Sequence, residues 1–188
     1  RLEGRRKLGP PSDFAERYYE TGADELLFSD CVASLYGRNS LLEIIEQTAA
    51  NIFIPLTVGG GIVSIEEAQK VFRSGADKIS LNSGAIRAKT LLNELASKLG
   101  SQAVVVEIQA KKKSDHTWEA LYENGREHSG LNVVDWAKQA EAQGAGEILL
   151  TSVDREGTTQ GFDVELVLQV MDVVSIPVIV SGGMGKLD

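Results

Sequence analysis

Two glycine pairs, Gly60-Gly61 and Gly182-Gly183, each close a short apolar run and precede a segment of different periodicity. Glycines placed after a strand and before a helix leave backbone N–H groups free to approach a phosphate. Polar residues stand at equivalent places after other apolar runs: Asp30, Asn82-Ser83, Gln109–Lys111 and the Asp154–Thr158 stretch, DREGT, with Glu156 and Gly157 in it. The plainer alternative is that the glycines only make tight turns. Their occurrence twice, beside hydroxyl and amide side chains, favours anion binding.

The elements that must position these residues come from a duplication. Residues 13–62 and 135–184 align without a gap at an offset of 122, matching Asp13 to Asp135, Gly22 to Gly144, Glu25 to Glu147, Glu43 to Glu165, Pro55 to Pro177 and the two glycine pairs. So long a repeat is a duplicated half-domain rather than a solenoid period. Short apolar runs predict strands at Glu25–Ser29, Ile54–Val58, Lys78–Leu81, Ala103–Ile108, Glu147–Thr151 and Pro177–Val180. Helical patterns lie between them at Ser12–Glu20, Ser40–Ala50, Ser64–Ser74, Ala88–Leu99, Asn132–Gln143 and Val164–Val173. Ser64 with Glu67 three residues on reads as a capping box. Around Asn124-Gly125, residues 111–130 read as a hairpin inserted after the fifth-strand position.

Runs apolar on both faces and alternating with helices imply a parallel sheet with right-handed crossovers. We expect a (β/α)8 TIM barrel built from half-barrels, a single incomplete domain over 1–188 lacking the first strand and the final units. An open doubly wound sheet is the rival, but no Gly-x-Gly-x-x-Gly follows the first apolar run. In a barrel the two glycine pairs end strands four positions apart, on opposite sides of the mouth. That arrangement fits an elongated ligand with a phosphate at each end.

Composition narrows the classes. The chain has 188 residues, 43% hydrophobic and 24% charged, with a net charge of −8. An acidic chain does not suit nucleic acid or an anionic membrane, and no apolar run reaches the length of a membrane span. The single cysteine, Cys31, suits a reducing cytoplasm. His116 and His128 lie in a polar stretch, which supports neither a zinc cluster nor a Ser-His-Asp triad, so neither metal nor cofactor is expected.

Seven segments carry a family resemblance: GADELLFSD (22–30), IPLTVGGGI (54–62), SGADKISLNSGAI (74–86), GSQAVVVEIQAK (100–111), GAGEILLTSVDREGT (144–158), GFDVEL (161–166) and SIPVIVSGGMG (175–185). With them the chain resembles the cyclase subunits of imidazole glycerol phosphate synthase, barrels of histidine biosynthesis. The resemblance implies a glutaminase partner that delivers ammonia, and a ribulosyl bisphosphate aminoimidazole carboxamide nucleotide as substrate. It implies one phosphate near Gly61, Asn82 and Ser83, another near Glu156, Gly157 and Gly183, and an active-site carboxylate at Asp30. Glu25, Lys78 and Glu147 match charged residues ringing the ammonia entrance; the alternative is an ion-pair network that only satisfies itself.

The chain departs from the family at the fifth strand, where an acid/base aspartate is replaced by Gln109. A glutamine amide takes no proton at neutral pH. Glu107 lies two residues earlier on the same face and is a substitute at about 6–7 Å greater depth. The departure keeps two further readings open: a paralogue delivering ammonia for sugar amidation in surface-polysaccharide synthesis, and a non-catalytic glutaminase-binding scaffold. Open strand edges lead us to expect that the chain pairs with a second copy or is poorly soluble.

Overall fold

The computed structural model describes residues 9–30, 39–88, 90–113 and 116–186. They fall into two compact units, Arg1–Ser80 and Leu81–Asp188.

In the first unit the order is α1 (Pro11–Glu20), β1 (Leu26–Ser29), α2 (Asn39–Ala49), β2 (Leu56–Gly59), α3 (Ile65–Arg73) and β3 (Lys78–Leu81). β1, β2 and β3 are parallel neighbours, with Leu26 opposite Leu56 and Thr57 opposite Lys78. Every residue of β2 is buried, as a strand covered on both faces must be. Leu41 and Ile45 of α2 and Ala68 and Val71 of α3 supply helical core contacts, at spacings of four and three that fall on one helix face. Ser64 caps α3 by accepting the Glu67 N–H at 3.2 Å, and the Glu67 carboxylate reaches back to the Val63 N–H at 2.8 Å. The capping box therefore forms with its return bond one residue earlier than the standard pattern.

The second unit holds α4 (Ser83–Arg87), α5 (Leu91–Leu99), a 3-10 turn at Ser101–Ala103, β4 (Val104–Lys112), β5 (Trp118–Tyr122), β6 (Glu127–Asn132), α6 (Val133–Ala142), β7 (Glu147–Ser152), α7 (Val164–Met171) and β8 (Val178–Ser181). β4, β7 and β8 run parallel, in that order. Ile108, Ile148, Leu150 and Leu166 are almost wholly buried, each stabilising the fold by about 1.5–3 kcal/mol relative to exposure. β4 continues to Lys112, beyond the expected end at Ile108, because Gln109–Lys112 gain an antiparallel partner in β5. The short helix α4 was not expected, and α5 begins at Leu91 rather than Ala88. Among the described residues, no helix is long and apolar enough to cross a membrane.

The duplication survives folding in detail. α1 at 11–20 corresponds to α6 at 133–142, and β2 at 56–59 to β8 at 178–181, each at the offset of 122. Leu26 pairs with Leu56 as Ile148 pairs with Val178. The Leu26 N–H donates to the Pro55 carbonyl at 3.0 Å, and the Ile148 N–H donates to the Pro177 carbonyl at 2.9 Å.

Candidate active site

Glu107, Gln109 and Lys111 alternate along β4 with buried Ile108 and Ala110 and stand half-buried on one face of the strand. A strand repeats its side-chain direction every second residue, so the three form a column. The Gln109 side-chain amide donates from Nε2 to Glu107 Oε1 at 2.8 Å. Burial pushes the Glu107 carboxyl above its usual range, and the Gln109 hydrogen bond offsets part of that rise. At the end of the column Lys111 Nζ pairs with the Asp154 carboxylate, to which the Lys112 N–H also donates at 2.8 Å. Desolvation works to raise the Asp154 carboxyl, but these donors together hold it below the ordinary value.

The β5–β6 hairpin folds its turn back over this end of β4. Glu123, Asn124 and Gly125 have φ of 50°, 57° and 74°, a left-handed run that Asn-Gly favours. The Glu123 N–H donates to Ser83 Oγ at 2.9 Å. Asn82 Nδ2 donates to the Glu107 and Leu121 carbonyls, each at 3.1 Å. Arg87 pairs with Glu123 at 2.9 Å and lies 5.1 Å from the centre of the Tyr122 ring. A Cβ added to Gly125 would meet Gln109 Oε1 at 3.3 Å. Asn82 and Ser83, read from the sequence as phosphate ligands, are thus also the anchors of the hairpin.

At the glycine turns, close backbone packing is evident. A Cβ at Gly60 would stand 2.4 Å from the Asp30 carbonyl oxygen, and one at Gly182 would stand 2.7 Å from that of Ser152. Asp30 and Ser152 are themselves related by the repeat. Gly183 abuts Gly161, whose N–H donates to the Gly183 carbonyl at 2.8 Å. Gly182 and Gly183 are buried, while Gly61, Glu156 and Gly157 are exposed. Gly157 has φ of 72° and open space where a Cβ would point. Glu156 Oε2 lies 3.4 Å from the Cβ position of Gly182, so the DREGT loop and the second glycine pair are brought together.

In the first unit Lys78 Nζ contacts Glu25 Oε2 at 2.9 Å, and Thr57 Oγ1 donates to Glu25 Oε1 at 2.6 Å. Thr57 was missed in the sequence, although its position opposite Lys78 follows from strand register. Glu147 stands half-buried at the start of β7. Also missed was Asp163, which caps α7 by accepting the Leu166 N–H at 3.4 Å and accepts the buried Trp118 indole N–H at 3.1 Å. Its place just before a helix was the available signal.

Comparison with known proteins matches residues 3–188 to the family described as "Histidine biosynthesis protein". A relative from Legionella pneumophila, named imidazole glycerol phosphate synthase subunit HisF, is 57% identical over 187 residues, covering 100% of this chain and 88% of the relative. A protein of the same name from Synechococcus sp. (strain CC9311) is 48% identical over 185 residues, covering 98% of this chain and 70% of that protein. The parallel βα units accordingly belong to the (β/α)8-barrel class expected from the sequence.

Proposed function

Because the chain belongs to the histidine biosynthesis protein family, we propose that it is the cyclase subunit of imidazole glycerol phosphate synthase. In this role, ammonia released by a glutaminase partner reacts with a ribulosyl bisphosphate aminoimidazole carboxamide nucleotide. The products are imidazole glycerol phosphate and the carboxamide ribotide. The observation that carries the reading is 57% identity sustained over the full length of the chain.

The local geometry supports phosphate binding at the strand ends. Gly61 and Gly157 are exposed with left-handed φ of 57° and 72°, a backbone state that lets successive N–H groups converge on an anion. Gly60, Gly182 and Gly183 hold the turns in place by close packing. Ser83 contributes its hydroxyl, with a phosphate oxygen replacing Asn82 Oδ1, to which it now donates at 3.3 Å. Asp30, half-buried just past β1, supplies a carboxylate. The Glu25–Lys78 pair is assigned to the entry of ammonia.

One observation favours a second reading, an ammonia-delivering paralogue serving sugar amidation: Gln109 stands where the cyclases carry an acid/base aspartate. Complementation of a histidine auxotroph lacking the cyclase separates the two. Growth with the wild-type gene is the expected result. Growth only after Gln109→Asp marks a weakened catalytic site, and no growth with either gene favours the paralogue.

A further inference from the structure

We infer that Glu107 is the proton-transfer group of this chain and that Gln109 is its positioning residue, an inference that rests on the cyclase reading above. The geometry carries it. Both side chains rise from one face of β4 and are half-buried. The 2.8 Å bond from Gln109 Nε2 fixes one carboxylate oxygen of Glu107. The neighbouring Lys111 ammonium is engaged by Asp154. The hairpin turn lies close by, since a Cβ added to Gly125 would stand 3.3 Å from Gln109 Oε1. An amide in that place cannot exchange a proton, but it can orient a carboxylate that does. The raised carboxyl of Glu107 brings its protonation equilibrium closer to neutrality, where acid and base roles are both accessible.

The chemistry served is the addition of ammonia to a carbonyl carbon with loss of water. The C–N bond forms as the carbonyl π bond breaks, and the carboxylate takes a proton from nitrogen. As the acid, it returns that proton to oxygen. A second such cycle breaks the C–O bond, forms C=N and releases water, so the carboxyl group ends as it began.

The test is the ammonium-dependent cyclase reaction of the full chain, with the bisphosphate nucleotide as substrate and no glutaminase required. Glu107→Gln, matched in size, is expected to lower kcat by about 10²–10⁴-fold with KM little changed. Gln109→Ala removes the bond that holds the carboxyl down, so the acidic limb of the pH–rate profile, where the carboxylate becomes protonated, should move to higher pH. A merely structural role would not move that limb. The exchange variant Glu107→Gln with Gln109→Glu returns a carboxylate to the column and should recover activity over Glu107→Gln alone. An active wild type with Glu107→Gln within threefold of it overturns the inference and leaves the cyclase reading standing. A folded wild type without ammonium-dependent activity overturns the cyclase reading and the inference with it.

Discussion

Gln109 donates its side-chain amide to the Glu107 carboxylate across 2.8 Å, two residues along one face of β4. A carboxyl raised by burial binds its proton more tightly in the folded chain than in the unfolded one. Stability from this group is therefore complete below its unfolded pKa, near 4.5, and is lost as pH rises through the folded value. Glu107→Gln should remove that loss. Thermal melts at acid and neutral pH will show the variant gaining on the wild type as pH rises; a constant difference would contradict the assignment.

Glu119 has the opposite sign. Its buried carboxylate lies 3.0 Å from His128 Nδ1, accepts the Gly130 N–H at 2.8 Å and sits 3.5 Å from Lys113 Nζ. The His128 contact first, then the Gly130 N–H, holds the carboxyl below its usual range. The resulting stability is present above the unfolded pKa, near 4.5, and disappears as pH falls through the folded value. Glu119→Gln is expected to flatten the acid limb of a Tm-against-pH curve and to leave the Glu107 effect untouched.

Three glycines separate backbone packing from backbone strain. Gly60→Ala and Gly182→Ala place a Cβ against the carbonyl oxygens of Asp30 and Ser152 at φ of 106° and 91°, so each should lose about 2–4 kcal/mol. Gly157→Ala meets nothing within 4 Å and carries only the left-handed penalty, about 1 kcal/mol. Urea unfolding of the three variants should return that order. A Gly157→Ala loss equal to the others would mean the turns are governed by φ alone.

Asp163 joins a helix cap to a buried indole. Asp163→Ala removes the acceptor for the Trp118 N–H and the Leu166 N–H together, at a cost of about 2–4 kcal/mol. Asp163→Asn keeps an acceptor oxygen and should recover part of it, as read by chemical denaturation with Trp118 fluorescence as reporter.

The parts of the fold legible in the sequence are those with a local cause. Apolar runs of strand length mark their strands by local composition, and Ser64 before Glu67 marks a helix start whose capping bonds are satisfied near in sequence. The repeat then carried register: Leu26 with Leu56 implies Ile148 with Val178, because matched turns force matched pairing. Gln109 and Glu107 were legible as neighbours on one face through strand alternation alone.

Long-range satisfaction of polar groups was not legible. The Asn124-Gly125 turn announced a hairpin, but its return onto Ser83 and Gln109 depends on residues about 15–40 positions away. The same holds for Asp154 with Lys111 and for Gly183 against Gly161. Sequence by itself determined the parallel βα class, the duplicated turns and the presence of an amide at position 109. Only tertiary structure decided which side chains those turns meet, because a buried donor takes whichever acceptor the folded chain brings within about 3 Å.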